Sequence, residues 1–209
     1  MPKQSLKGSK IAILATNGFE QSELQKPKQL LEEAGATTVV IAPEDKPSIK
    51  GWDHTDWGQE VKVDLPLSNA RAEDYDALVL PGGVINPDKL RLNEEAIEFI
   101  RDFGDTGRPL AAICHGPWTL INAGLVDGKQ ITSWPSLRVD LENAGAQWED
   151  SEVVEDGNLI TSRRPDDIPV FTNALIHALE HRAQQAAQIL RAPEAQPAGL
   201  RNSSMKRSV

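Results

Sequence analysis

Cysteine is nearly absent from this chain: its 209 residues contain one, Cys114. A single thiol excludes an intrachain disulfide framework and any metal site that needs two thiolates from one chain. It leaves a free thiol, which suits a reducing compartment. Basic residues are outnumbered, 22 against 31 acidic, for a formal charge of -9. That balance excludes a domain-wide nucleic-acid footprint. No apolar run is long enough to cross a bilayer, and the start, "MPKQSLKGSKIAILATNGFE", lacks the apolar stretch of a secretory leader. The expectation is a cytoplasmic protein without a membrane partner. The glycine signatures of phosphate loops and dinucleotide sites are also missing, so no cofactor is expected, and no metal.

What is present reads as α/β. The length suits one domain, expected over residues 10–191, with flexible segments at 1–9 and 192–209. "KIAILA", "ALVL" and "RPLAAI" are short continuous apolar runs, the habit of parallel strands buried on both faces. "TTVVIAP" is β-branched and ends at proline. Between them, "SELQKPKQLLEEAGA" predicts a helix closed by Gly35, with Pro27 as a break or kink, and "NEEAIEFIRDFGDTG" a helix capped by Asn93. Residues 44–60 read as a loop or small excursion, and "EVKVDLPL" as a half-exposed strand. "QITS" predicts a strand, "PSLRVDLENAG" a helix, and Asp156-Gly157 the turn of a hairpin. A final helix is expected from near Asp167.

In such sheets, sites form outside the carboxyl ends of the strands. Glu20, Gly82-Gly83 and Cys114 fall at such ends. In "RPLAAICHGPWTLINAGL", Cys114 lies between a strand and a short helix, on a turn that Gly116 permits. Such a turn projects a nucleophile, and the first N–H groups of the helix favour a thiolate, so a lowered thiol pKa is expected. The alternative is a buried cysteine that only fills the core.

The segments "NGFE", "ALVLPGG", "AAICHGPWTLINAGL", "ITSWPSLRVDLENAGAQWED" and "LITSRRPDDIPVF", in that order, resemble the DJ-1/PfpI superfamily, and within it the PfpI-type intracellular protease and general stress protein branch. The resemblance covers about residues 10–182. It implies a flavodoxin-like three-layer sandwich with a mostly parallel central sheet, within the class I glutamine amidotransferase-like fold. It also implies Cys114 as the reactive thiol, His115 as acid or base, and Glu20 as a protonated acid beside the sulfur. Asp88, in "PGGVINPDKLR", matches the third acid, which in PfpI-type proteases reaches the histidine from a neighbouring subunit. The family pattern has glutamate there. The backbone N–H groups of Gly83 and His115 match the oxyanion donors.

Other residues keep two readings. Trp52, His54, Asp56 and Trp57 in "GWDHTDWGQE" either line the pocket or a subunit contact, or simply pack a long loop. Trp118 and Trp134 pose the same choice. Arg163 and Arg164 either face anions at the sheet's edge or pair with Asp166 and Asp167. The late histidines, His177 and His181, fall in the terminal helix, so no amidotransferase triad is assigned.

The resemblance implies a homo-oligomer, a dimer or a trimer of dimers, and a cysteine-dependent hydrolase acting on a carbonyl or amide carbon. Its substrates would be peptides, small carbonyl compounds or glycated adducts, in peptidase, deglycase or glyoxalase-like chemistry. The alternative is a non-enzymatic stress protein that senses oxidants through the same thiol or acts as a chaperone.

Overall fold

The computed structural model describes residues 5–43 and 46–191. In chain order, β1 (Lys10–Leu14) leads into α1 (Gln21–Glu33) and β2 (Thr37–Ala42). Strands β3 (Ser48–Asp53), β4 (Asp56–Lys62) and β5 (Leu65–Pro66) follow, then β6 (Ala77–Leu80), α2 (Ile85–Leu90) and α3 (Glu94–Asp105). The second half runs β7 (Leu110–Ile113), α4 (Pro117–Ala123), β8 (Gln130–Ile131), α5 (Arg138–Asn143), β9 (Gln147–Trp148), β10 (Val153–Asp156), β11 (Leu159–Ser162) and α6 (Ile168–Arg191).

Among the described residues the central sheet has the order β10-β11-β7-β6-β1-β2-β5, parallel except for β10. Continuous apolar strands supply both faces, because successive side chains point oppositely. Ile11 and Ile13 join one core with Leu24 and Leu31 of α1 and Phe171 and Leu175 of α6. Ala12 and Leu14 join the other, with Ile100 and Phe103 of α3 and Leu120 of α4. The result is three layers, helices on both sides of a mostly parallel sheet, as the sequence predicts. No helix among the described residues is long and apolar enough to cross a membrane.

Several elements differ from expectation. Residues read as a loop form the antiparallel hairpin β3–β4, whose turn carries His54 at a φ of 55°. The "EVKVDLPL" strand is split between β4 and β5. Pro27 does not end α1: the helix continues through it to Glu33. The segment after Gly83 is a helix, α2, with Pro87 in its first turn, where a missing N–H costs nothing. Leu6, placed in a flexible segment, is 2% exposed, and its N–H donates to Ala34 O at 2.9 Å. The segment 192–209 lies outside the described residues.

The hairpin is stitched to the loop after β1. Gly18 N–H donates to Lys50 O at 2.8 Å, Trp52 N–H to Phe19 O at 2.7 Å, and Lys50 N–H to Asn17 Oδ1 at 2.9 Å. The chain passes from β1 to β2 on one side and later returns to place β6 on the other, so the carboxyl ends of β1, β6 and β7 open on one crevice.

Candidate active site

Cys114 follows β7 directly. Its N–H donates to Ser162 O at 3.0 Å, and its carbonyl accepts from Trp134 N–H at 2.9 Å. Between these anchors its φ is 61°, left-handed backbone that L-residues rarely adopt and that tends to mark functional sites. The chain then enters α4 with Pro117 in its first turn.

The floor beneath the sulfur is the Pro81-Gly82-Gly83 turn after β6. A Cβ on Gly82 would stand 2.7 Å from Cys114 Cβ, from Glu23 Oε2 and from His115 N. Only glycine permits that approach. Asn86, fully buried, holds the turn: its amide donates to Pro81 O at 2.9 Å and Gly82 O at 3.3 Å, while its Oδ1 accepts from Thr16 N–H at 2.7 Å. The backbone N–H groups of Gly83 and His115 favour the charged form of the Cys114 sulfur. The resemblance implies these same two groups as oxyanion donors.

The acid against the thiol is Glu23, not Glu20. Glu23 is fully buried against Cys114, and its Oε2 accepts from Gly82 N–H at 2.9 Å, while its Oε1 has no hydrogen-bond partner among the described residues. Glu20 sits three residues earlier, ahead of the first turn of α1, where it accepts from Ser22 Oγ at 3.2 Å and pairs through its backbone with Trp52. Helix phase decides between them. Glu23 lies on the inward face with Leu24, Pro27 and Leu31. That apolar stripe is the sequence signal that singles it out.

Burial pushes the Glu23 carboxyl up to about 8, so it keeps its proton near neutral pH. Burial also pushes the Cys114 thiol up, and the Glu23 charge adds to this once the carboxyl ionises. The N–H groups of Gly83 and His115 act in the opposite direction. The expected lowering of the thiol is thus overcome by desolvation. Acid and thiol titrate as one coupled pair. Its monoanion is nucleophilic when the proton stays on Glu23 and the charge on sulfur, where two backbone N–H groups receive it.

His115 Nδ1 lies 3.3 Å from Cys114 Sγ, and its Nε2 is 3.5 Å from Ser136 Oγ. Its ring stacks on Trp134, centroids 5.9 Å apart at 24°. Burial lowers His115 to about 4, so it is neutral and able to accept a proton at physiological pH.

These groups open on a cavity of about 500 Å³, lined by Glu20, Glu23, Cys114 and His115, with Trp52, His54 and Trp134 at its walls. Gly83, Val84, Arg164, Pro165 and Asp166 complete it. Other sequence candidates lie elsewhere. Trp57 packs edge-on against Trp52 at 5.5 Å and is 45% exposed, and Asp56 is exposed on the hairpin. Trp118 stands behind His115, its Nε1 bonded to Asp140 at 2.8 Å and its ring under Arg91. Asp88 is exposed on α2, and within the chain the partners of His115 are Cys114 and Ser136. Arg163 is paired, with Asp150 at 2.7 Å and Asp167 at 2.9 Å. The sequence pointed to Asp167 and to Asp166; the latter is not the partner.

One trio among the described residues, Glu20, Asp53 and His54, brings possible ligand atoms within 4.8 Å of one another. Glu20 is its most buried member, Asp53 and His54 are exposed, and no ion is assigned to it.

A thiol on a strained strand-to-helix turn, a buried carboxyl against it, and a glycine floor at the crevice of a parallel sheet define a class of α/β sandwich proteins built around one cysteine. The chain belongs to the DJ-1/PfpI family, whose pattern matches residues 9–178. It is 43% identical over 174 residues to general stress protein 18 of Bacillus subtilis, covering 83% of this chain and 99% of that one. It is 43% identical over 171 residues to deglycase PfpI of Pyrococcus furiosus, covering 82% and 99%. A crystal structure of a two-domain protein from Anabaena variabilis, with DJ-1/ThiJ/PfpI-like and ferritin-like domains, superposes with a TM-score of 0.77 at 37% identity. The match covers 82% of this chain and 48% of that protein.

Proposed function

We propose that the chain is a cysteine-dependent hydrolase of carbonyl adducts, of the deglycase or glyoxalase type, acting in stress protection. One observation carries the reading: Cys114 lines a cavity together with Glu23, Gly83 and His115, and His115 Nδ1 lies 3.3 Å from its Sγ. In the first step the thiolate adds to an electrophilic carbonyl carbon. A C–S bond forms and the carbonyl π pair moves to oxygen, which takes a proton. With a 2-oxoaldehyde, His115 takes the proton from the carbon bonded to sulfur and returns it to the neighbouring carbonyl carbon through an enediol, which leaves a 2-hydroxy thioester. Water then adds to the thioester carbonyl, the C–S bond breaks, the 2-hydroxy acid leaves and sulfur regains its proton. The names of the two relatives, a deglycase and a general stress protein, support the substrate class and setting. Peptidase chemistry calls for an acid on the far side of His115, where Ser136 Oγ lies 3.5 Å from Nε2 within the chain; that acid would be Asp88 of a second copy.

The same reading includes a homo-oligomer. Val84 and Leu92, 57% and 83% exposed, flank Asp88 on and beside α2 and offer apolar surface to a second copy.

Turnover of methylglyoxal and of its hemithioacetal with N-acetylcysteine tests the reading. The wild-type chain is expected to consume both, and Cys114→Ala to lose at least about a hundredfold in kcat/KM. Equal rates in the two proteins overturn it.

A further inference from the structure

Two consecutive arginines follow β11, and the fold treats them oppositely. Strand β11 lies beside β7, with Ser162 opposite Ile113, so the residues after Ser162 run alongside Cys114. Arg164 has extended backbone, φ -162° and ψ 170°, and successive side chains on extended backbone point to opposite sides. Arg163 turns away from the cavity and is neutralised: its Nε and Nη2 bond Asp167 at 2.9 Å and 3.2 Å, and its Nη1 bonds Asp150 at 2.7 Å. Arg164 turns into the cavity that holds Cys114 and His115. Among the described residues it makes no ion pair, and its Nε is buried without a hydrogen-bond acceptor.

A half-buried guanidinium with an orphaned donor is an unusual thing to place beside a nucleophile. It offers a planar fork of N–H groups matched to a carboxylate, and burying such a donor without a partner is costly. The other charged groups lining the cavity do not satisfy it. Glu20 is engaged with Ser22, Glu23 Oε2 with Gly82 N–H, Glu23 Oε1 is itself without a partner, and Asp166 is exposed on the rim. We infer that Arg164 is an anion-recognising residue of the Cys114 cavity, and that the substrates are carbonyl compounds bearing a carboxylate. The carboxylate docks on the Arg164 fork, which presents the carbonyl carbon to Sγ. The inference rests on Cys114 being the attacking group and adds what selects its substrate.

The test compares iodoacetate with iodoacetamide, two alkylating agents of nearly equal size that differ in charge. Their rate ratio at Cys114, read by intact mass, is expected to fall about tenfold in Arg164→Ala and to be only partly retained in Arg164→Lys, which keeps the charge and loses the fork. The iodoacetamide rate itself should stay within about twofold of wild type, since the thiol and its donors are untouched. A ratio that does not move in Arg164→Ala overturns the inference, whatever the methylglyoxal assay shows. A second measurement needs neither turnover nor alkylation. Pyruvate binding, read by quenching of Trp52 and Trp134 fluorescence, should be weakened in Arg164→Ala; equal affinity in both proteins also overturns it. Loss of activity in Cys114→Ala is a separate outcome, so the two proposals fail independently.

Discussion

Glu23, in the first turn of α1, places a fully buried carboxyl against Cys114, the residue that follows β7. The contact joins the segment after β1 to the segment after β7, two strands separated by β6, and buries the least tolerated kind of group, an ionisable one, at the base of the cavity. Its proton therefore belongs to folding as well as to chemistry.

Stability should depend on pH through this pair of neighbours. Glu23 rises from an ordinary 4.5 to about 8 on folding, so its contribution is full below pH 4.5 and is lost as pH rises through 8. His115 falls from 6.5 to about 4, so its contribution is present above pH 6.5 and lost as pH falls toward 4. The slopes oppose below pH 6.5, and Glu23 acts alone above it. Urea unfolding should show stability falling by roughly 2 kcal/mol between about pH 6.5 and 8. Glu23→Gln should abolish the fall; the same slope in that variant would refute the assignment.

Gly82→Ala should damage the site without touching a reactive atom. The added methyl meets Cys114, Glu23 and His115 at 2.7 Å, and two of these contacts involve groups with little room to retreat. Overpacking of this kind costs about 1–3 kcal/mol. Thermal unfolding should report that loss, and iodoacetamide should alkylate Cys114 at an altered rate. A variant with wild-type stability and alkylation would show that the floor is looser than described.

Asn86→Asp isolates the polar clamp behind the floor. The carboxylate keeps an acceptor for Thr16 N–H but has no donor for Pro81 O and Gly82 O. A buried charge facing two carbonyls should cost about 2–4 kcal/mol. Asn86→Ala, which removes the charge, should cost less at high pH. Equal stabilities for both variants across pH would count against the clamp.

The neighbouring arginines should separate in stability. Arg163→Ala leaves Asp167, 6% exposed, without its partner and should lower the thermal midpoint. Arg164→Ala removes no bond and should leave the midpoint unchanged. A matching loss in both would assign Arg164 a structural role.

Much of the fold was legible because its signals are local. β1, β6 and β7 announce themselves as apolar runs, Asn93 caps α3 by accepting from Ala96 N–H at 2.8 Å, and Asp156-Gly157 turns the β10–β11 hairpin. The cysteine turn was legible for the same reason. What escaped depends on packing between distant segments. Glu20 and Glu23 differ only in helix phase, which contacts with the sheet decide. The β3–β4 hairpin is exposed on most positions, so it lacks alternation, and its turn uses His54 where glycine or asparagine would have signalled it. Trp118 and Trp134 are indistinguishable by type, yet only Trp134 reaches the cavity.

The hairpin's attachment has a mechanical consequence. The cavity's base is made of paired strands in the middle of the sheet, whereas its lip, at Trp52 and His54, hangs from a few bonds to residues 17–20. Amide exchange should accordingly be slow in β1, β6 and β7 and fast across residues 52–58. The mouth can breathe to admit a bulky guest while the sulfur and its neighbours stay still.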